Sequence, residues 1–261
     1  FAPHATLRNE NLKAVPTNLN PRYSFDNFIK GDSNQLARAA ALAVANNPGG
    51  TSFNPLVIYG GTGLGKTHLM HALGNHAIAS GKAKRVAYIS SEKFTVDFIE
   101  AVQSDRVRDF SQYYRSMDIL VVDDIQFFAG KEKTQDNFFH TFNALQQLGK
   151  QIVLSSDVPP KELKGLDERL ISRFQCGLTA DIQPPDLETR IAILQKKSQE
   201  SGIELPSDVI DFIAANVKNN IRELEGVLIS MLARASLENR ELNPDLAKDV
   251  LKIVVHELRA P

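Results

Sequence analysis

The run that most constrains this chain is Gly60-Gly61-Thr62-Gly63-Leu64-Gly65-Lys66-Thr67, which fits the pattern G-x-x-x-x-G-K-[ST]. It follows Pro55–Tyr59, a short apolar run that predicts a buried strand, and it leads into a helical pattern from Lys66. Polyphosphate binding needs such a loop between strand and helix, because the loop amides must all point inwards. The sequence therefore predicts a fold built around a phosphate-binding loop.

The residue types in the loop agree with that chemistry. Glycines permit the backbone angles and the close approach that a phosphate requires, and the following helix adds the positive end of its dipole. Lys66 supplies a positive charge for the β- and γ-phosphates, and the Thr67 hydroxyl is a suitable Mg²⁺ ligand. We expect ATP or ADP with Mg²⁺ to bind at Gly61, Thr62, Gly63, Leu64, Gly65, Lys66, Thr67 and His68.

Strand and helix patterns alternate from the loop to about residue 183. Strands alternating with helices predict a parallel sheet that is covered on both faces, so the fold class is α/β. The predicted strands after the loop are Val86–Ile89, Asp118–Asp123, Gln151–Ser155 and a short one around Cys176–Ile182. The predicted helices are Asn34–Asn46, Lys66–Ser80 and Glu132–Leu148, and helical segments are predicted from Glu92 to Tyr114.

Prolines and a change in the hydrophobic periodicity divide the chain into three parts. Residues 1–20 lack apolar periodicity and are expected to be a linker, and residues 21–183 form the α/β nucleotide-binding domain. After Gln183-Pro184-Pro185 the pattern is wholly helical, so residues 184–261 are expected to form a small helical lid domain.

A second chemical signal lies at the end of the strand that precedes Asp124. Ile119-Leu120-Val121-Val122-Asp123-Asp124 is an apolar strand that ends in two carboxylates. Beside a phosphate loop, Asp123 would hold the metal through water, and Asp124 would orient the attacking water towards the γ-phosphate. Taken alone, the two aspartates fit a solvated turn equally well, but with the loop they predict a nucleoside triphosphatase.

Composition excludes several other classes. Thirty basic residues are balanced by 31 acidic ones, so the formal net charge is −1 and any contact with DNA must be local. A single cysteine, Cys176, cannot form an internal disulfide, in keeping with a reducing compartment. No apolar run approaches the roughly 20 residues that a bilayer span needs. We therefore expect a cytoplasmic protein without a membrane span.

Several segments together carry a family resemblance. The phosphate loop, Asp123–Phe128, Glu168–Phe174 and the run Asn220-Ile221-Arg222-Glu223-Leu224-Glu225-Gly226 resemble the AAA+ domain of the DnaA family of bacterial replication initiators. The resemblance implies an AAA+ P-loop NTPase with a helical lid, which hydrolyses ATP slowly as a switch. It also implies self-assembly into an ATP-dependent helical oligomer at the origin, engagement of single-stranded DNA, duplex opening, and contact with the replicative helicase or its loader.

The resemblance assigns roles to particular residues. Asp157 resembles the sensor that reads the γ-phosphate, and Arg222 resembles the second sensor, which reaches from the lid to the nucleotide. Arg173 matches the arginine finger that enters a neighbour's ATP site, and Arg169 looks like its companion. The resemblance thus gives Asp124, Lys66, Arg173 and Arg169 as the catalytic set. Without it, each arginine would be taken for a solvated or ion-paired side chain.

DNA contact is expected from the same resemblance. The family carries a helical insertion that corresponds to the segment from Phe94 to Arg115 here, where Thr95 or Val96 matches a DNA-contacting position. Lys131 and Lys133 match basic positions after the Asp-Asp strand, where each could touch a phosphate. The competing interpretation of the lysines is a solvated helix start with Glu132 between them.

The sequence also predicts where several apolar and aromatic side chains lie. Phe138, Phe139 and Phe142 have the spacing of a buried helix face, and Cys176 is expected to be a small buried residue. The segment from Phe25 to Ile29 would either form a wall for the adenine base, as the resemblance implies, or pack in the core.

Competing functions remain open at this point. The runner-up is an AAA+ helicase loader or an adaptor that regulates an initiator, and a third hypothesis is a nucleotide-binding scaffold that never hydrolyses. Initiators of this family also carry a C-terminal domain that reads duplex DNA, and we expect that domain to be absent from this chain, as in an excised fragment.

Overall fold

The computed structural model describes residues 17–218 and 220–257. An α/β part contains a five-stranded parallel sheet, and four helices form a separate bundle after it. The strands are β1 Leu56–Tyr59, β2 Val86–Ser90, β3 Ile119–Asp123, β4 Gln151–Ser156 and β5 Leu178–Asp181. The helices of this part are α1 Gln35–Asn46, α2 Lys66–Ala79, α3 Ser91–Gln103, α4 Val107–Arg115, α5 Glu132–Gln147 and α6 Glu168–Phe174.

The order of the strands in the sheet, β2-β3-β4-β1-β5, decides where the site forms. β4 lies between β3 and β1, with Val122 level with Leu154 and Tyr59 level with Ser156. Since all strands are parallel, their carboxyl ends meet at one edge. The loop after β1, the aspartates at the end of β3 and the residue after β4 are therefore neighbours.

Two apolar layers cover the sheet, as predicted. α1 and α2 pack on one face around fully buried side chains such as Leu69, and the other face carries a phenylalanine-rich layer from α3, α5 and α6. Phe138 and Phe142 are fully buried there, which confirms the helix-face prediction for these two residues. Phe139 is only partly buried and packs at the margin of the same layer.

The predicted helical segments between Glu92 and Tyr114 are α3 and α4, which a turn at Asp105, whose φ is +55°, separates. One other sequence prediction is wrong. Cys176 is exposed rather than buried, because it follows the end of α6 at a turn, where its Sγ contacts the carbonyl oxygen of Ser172 at 3.2 Å.

The C-terminal helices form a lid with an apolar core of its own, which includes Val209, Val227 and Leu246. Asp186 caps the first of these helices through the amide of Thr189. The helices are α7 Leu187–Glu200, α8 Ser207–Asn216, α9 Ile221–Glu238 and α10 Pro244–Glu257. In the part of the chain that the structure describes, no helix is long and apolar enough to cross a membrane.

The last residues of the expected linker contact the α/β part. The carbonyl of Thr17 accepts a hydrogen bond from the amide of Tyr88 on the edge strand β2. The amide of Asn20 donates to Nδ1 of His71, and Leu19 packs against the core. The linker residues before Thr17 lie outside the described part of the chain.

Candidate functional site

The phosphate loop joins β1 to α2 in a conformation that depends on glycine. Gly63 and Gly65 have φ values of +79° and +98°, which L side chains rarely adopt. Gly65 is the residue immediately before α2, so the loop leads directly into the helix N-terminus. The carbonyl of Gly63 accepts a hydrogen bond of 3.0 Å from the amide of Ile221, so the first residue of α9 touches the loop.

Lys66, the charged residue of the loop, makes three polar contacts through its ammonium group. Its side chain is 6% exposed, and Nζ donates to the carbonyls of Gly60 and Gly61 at 2.7 and 3.1 Å. Nζ also forms an ion pair of 2.8 Å with Oδ1 of Asp157. The structure thus brings the predicted loop lysine and the predicted sensor into direct contact.

Asp123 lies at the end of β3 and is 4% exposed. Its Oδ2 accepts hydrogen bonds from the Thr67 hydroxyl at 2.9 Å and from the Tyr88 hydroxyl at 2.5 Å, and its Oδ1 accepts one from the Ser155 hydroxyl. Burial first, and then the charge of Asp123, raises the pKa of the Tyr88 phenol.

The oxygens of Thr67 and Asp123 fit a magnesium ion. A hydroxyl and a carboxylate are hard oxygen ligands of the kind that Mg²⁺ prefers, and the two groups already face each other at 2.9 Å. The metal would therefore be held by Thr67 directly and by Asp123, the two residues that the sequence predicted.

Asp124 is held in a left-handed backbone conformation, with φ at +56°. Its amide donates to the Ser155 hydroxyl at 2.8 Å, and its carbonyl accepts from the Ser91 hydroxyl at 2.6 Å. These two bonds fix the backbone, so the carboxylate faces the cleft. Burial first, and then the charge of Asp123, raises the pKa of the Asp124 carboxyl.

The cleft beside the loop is bounded by both parts of the molecule and has a volume of about 350 Å³. Phosphate-loop residues from Thr62 to His68, Asp124 and Asp157 line it from the sheet side. Arg222, at the start of α9, lines it from the lid, in keeping with the role of second sensor that the resemblance implies.

Residues before α1 close one end of the cleft. Phe25 is buried in the core, whereas Phe28 and Ile29 line the cleft, so the predicted segment contributes to both places. His68 also lines the cleft, and its Nε2 lies 3.0 Å from the carbonyl of Ser24 and from Oδ1 of Asn27. Burial is the main reason that the pKa of His68 is lowered.

The two finger-motif arginines lie on α6, away from the cleft of their own chain. Arg173 has no ion-pair or hydrogen-bond partner for its side chain within residues 17–218 and 220–257. Arg169 is 56% exposed and pairs with Asp167 at 2.7 Å and Asp136 at 3.5 Å, with its guanidinium 4.8 Å from the ring of Phe139. Arg173 is therefore free for a contact outside this chain, while Arg169 is held within it.

The structure separates the two alternatives for DNA contact on α3. Thr95 is 5% exposed and its hydroxyl donates to the carbonyl of Ser91 at 2.8 Å, so its side chain offers little surface to DNA in this structure. The physical reason is that Thr95 lies on the same buried helix face as Phe94 and Phe98. Val96 lies on the outer face and is 49% exposed.

Lys131 and Lys133 flank the start of α5 and have no ion-pair partner among the residues that the structure describes. Lys133 and Phe98 line the same shallow groove, so the start of α5 lies beside α3. The two elements predicted to contact DNA are therefore neighbours in the structure.

Sequence reasoning missed several groups that complete the site. Tyr88 and Ser155 donate to Asp123, and Gln126 donates to two carboxylates of the cleft. Lys197 and Glu225, on different lid helices, form an ion pair of 2.9 Å that also lines the cleft. Gln126 lies in a run that carried the resemblance, but no spacing rule distinguishes such residues before the fold is known.

A parallel sheet with a phosphate loop after β1, paired carboxylates after β3 and a helical lid over the nucleotide cleft define a P-loop nucleoside triphosphatase of the AAA+ type. The family model described as the bacterial DnaA ATPase domain matches residues 19–181. The chain therefore belongs to the bacterial DnaA family, as an ATPase domain.

Comparisons with individual proteins agree with this family assignment. The chain is 54% identical over 239 residues to the chromosomal replication initiator protein DnaA of Chlorobaculum tepidum, covering 92% of this chain and 48% of that protein. Domain III of the DnaA protein of Thermotoga maritima is similar in structure, with a TM-score of 0.87, 44% identity and coverage of 92% of this chain and 99% of the other.

A replication initiator DnaA bound to AMPPCP and single-stranded DNA matches with a TM-score of 0.77 and 38% identity, over 92% of this chain and 70% of the other. The chain spans about half the length of the curated relative that it matches, 48%.

Proposed function

We propose that this chain is the ATP-dependent core of a replication initiator, which binds ATP with Mg²⁺ in the cleft and assembles into a helical oligomer at the origin. The oligomer engages single-stranded DNA and promotes duplex opening, and slow hydrolysis resets it. One observation carries the proposal: Lys66, Asp123, Asp124 and Asp157 converge beside the loop, whereas Arg173 lies outside its own cleft without a partner in the described part of the chain.

Nucleotide binding starts from the loop. Its amides and Lys66 face the phosphates, and the γ-phosphate competes with Asp157 for the Lys66 ammonium. Thr67 and Asp123 hold Mg²⁺, which when bound offsets the negative charge of the β- and γ-phosphates. Binding of ATP thus replaces an internal ion pair by a contact that only a triphosphate makes.

Hydrolysis follows from the position of Asp124. Its carboxylate orients a water whose oxygen attacks the γ-phosphorus, while the bond from that phosphorus to the bridging oxygen breaks and ADP leaves with inorganic phosphate as the second product. Arg222 of the lid faces the same phosphates from the opposite side of the cleft.

Assembly couples one chain to the next. An arginine that enters a neighbour's site stabilises charge on the terminal phosphate, so ATP favours the assembled state and the assembled state favours ATP binding. Arg173 is the residue that supplies this contact, and Arg169, braced by Asp167 and Asp136, fixes the helix that carries it.

DNA binding is distributed along the oligomer. Val96, Lys131 and Lys133 of successive chains would line up as an apolar and basic track, which a net charge of −1 for a single chain does not reveal. The solved DnaA bound to AMPPCP and single-stranded DNA supports this part of the proposal. We expect the chain to act in the cytoplasm, with the replicative helicase or its loader as a further partner.

Fluorescence anisotropy of a labelled single-stranded oligonucleotide, titrated with the chain in ATP, in ADP and without nucleotide, tests the proposal. We expect weak, salt-sensitive binding that needs ATP, and less binding of a duplex of equal length. Equal binding with ATP and ADP would overturn the proposed switch, and a preference for the duplex would overturn the assignment to single strands.

A further inference from the structure

The side-chain amide of Gln126 lies between two carboxylates of the nucleotide cleft. Its Nε2 donates to Oδ1 of Asp124 at 3.2 Å and to Oδ2 of Asp157 at 3.1 Å. Asp124 follows β3 and Asp157 follows β4, so one amide connects the ends of two neighbouring strands. Both hydrogens of the amide nitrogen are used in this bridge.

The second oxygen of Asp157 leads to the phosphate loop. Oδ1 of Asp157 pairs with Nζ of Lys66 at 2.8 Å, while Oδ2 accepts from Gln126. A continuous path of polar contacts therefore runs from Lys66 through Asp157 and Gln126 to Asp124, and all four residues line the cleft.

The position of the Gln126 amide has an energetic cost at its carbonyl oxygen. Oε1 of Gln126 is buried, and no group in residues 17–218 and 220–257 donates a hydrogen bond to it. A buried acceptor without a donor is unfavourable, and an apolar side chain of similar size would avoid that cost. The two hydrogen bonds from Nε2 offset this cost, because the amide lies between two like-charged carboxylates and donates to each of them.

We propose that Gln126 is a positioning residue that couples the γ-phosphate contact of Lys66 and Asp157 to the orientation of Asp124. The inference rests on the proposed hydrolysis of ATP. When a γ-phosphate takes Lys66 from Asp157, the Asp157 carboxylate keeps Gln126 as its remaining partner, and the amide holds Asp124 in its working rotamer. ADP has no γ-phosphate, so it leaves the ion pair of Lys66 and Asp157 intact.

A structural role for Gln126 predicts a different behaviour. The residue lies in the 3-10 turn Ile125–Phe128, and a side chain that only supports this turn would act independently of Asp157. Gln135 is the matched example of such a role, because its Nε2 donates to the backbone carbonyls of Phe128 and Gly165. The two glutamines can be told apart by their coupling to Asp157.

The experiment is a double-mutant cycle on ATP turnover by the whole chain, with ATP affinity measured in parallel. Gln126→Ala and Asp157→Asn should each lower kcat about tenfold, and the double variant should be no slower than either one, because both changes break the same path. Gln126→Ala should leave ATP affinity within about twofold of the parent, since the amide contacts no phosphate. Gln135→Ala should lower the melting temperature, and its effect on kcat should multiply with that of Asp157→Asn.

A kcat of Gln126→Ala within about twofold of the parent, or a double variant slowed about a hundredfold, would overturn the inference. If Gln126→Ala does not fold, Gln126→Glu keeps the volume and exchanges the donor for an acceptor, and an unchanged kcat in that variant would overturn the inference equally. A parent chain without any turnover of ATP would instead overturn the proposed hydrolysis.

Discussion

The edge of the sheet that faces the cleft and the outer surface of α3, α5 and α6 differ in how their functional groups are held. At the sheet edge, Asp123 accepts three hydrogen bonds and Lys66 makes three polar contacts, all within the chain. On the outer surface, Arg173, Lys131 and Lys133 have no such partners among the described residues.

This difference follows from where each group works. A residue that acts on the nucleotide of its own chain must be preorganised, because flexible side chains lose the geometry that catalysis needs. A residue that acts on a neighbour or on DNA must keep its hydrogen-bonding capacity free until the partner arrives. Changes at the sheet edge should therefore alter the nucleotide chemistry of the same chain directly, and changes on the outer surface should act through assembly and DNA binding.

The largest effect is expected for Asp124→Asn. Because the amide cannot orient and polarise the attacking water as a carboxylate does, ATP hydrolysis should fall by roughly 10²- to 10⁴-fold. ATP affinity should change little, since Asp124 does not hold the phosphates. Phosphate release and calorimetric titration measure the two quantities, with Asp211→Asn on the exposed face of α8 as the control. Hydrolysis by the variant at the parent rate would show that the Asp124 carboxylate does not orient the attacking water.

The next largest effect is expected for Lys66→Ala, which removes the loop's cation and leaves the carboxylate of Asp157 without its ion-pair partner. ATP affinity should fall by about 100-fold, as for other charge-stabilising contacts to phosphate. The matched control is Lys82→Ala, an exposed lysine just beyond the other end of α2. Equal affinities of the two variants would contradict the assigned role of the loop lysine.

A smaller effect is expected on the outer surface. Lys131→Ala and Lys133→Ala should each weaken binding of single-stranded DNA several-fold and reduce the slope of log affinity against log salt by about 0.7, which is the value for one phosphate contact. ATP affinity should stay at the parent value, and Lys82→Ala again serves as the control. A lysine variant that lowered ATP affinity would break the proposed separation between the two regions.

The smallest effect is a dependence of stability on pH through His71, a buried residue of α2. Burial, the largest cause, lowers the pKa of His71 below 6.5 in the folded chain. The unfolded chain then binds the proton more tightly, so stability is complete above pH 6.5 and falls as the pH drops through the folded pKa. Urea unfolding should lose at most about 1.4 kcal/mol per pH unit from this group.

His71→Gln should reduce the pH dependence of unfolding between pH 6.5 and the lowered pKa, and the part that remains comes from His68, whose pKa burial also lowers. A parent chain whose stability does not change over this interval would show that His71 is hydrated rather than buried.

The convergence of the site was predictable from the sequence because parallel strands end at one edge. The loop after β1, Asp123 and Asp157 each follow a strand, and apolar runs marked those strands. The donors Tyr88 and Ser155 were not predictable, because their roles depend on the register between β2, β3 and β4.

The burial of Thr95 and the turn at Asp105 differ in how clearly the sequence indicates them. The burial of Thr95 was available from the sequence, since its helical spacing from Phe94 and Phe98 places it on the core face of α3. The break at Asp105 was not, because a left-handed aspartate in a polar helix has no strong sequence signal. The partners of Arg173 are beyond any prediction from one chain, since they would lie in another copy.

In the proposed function, ATP switches the chain between free and assembled states through Arg173. The particle mass of the parent and of Arg173→Ala in solution, measured with ATP or ADP and with single-stranded DNA added, tests this switch. We expect large assemblies only for the parent with ATP, and single chains for Arg173→Ala even though that variant still binds ATP. Assemblies of equal size in both proteins, or in ATP and ADP alike, would contradict it.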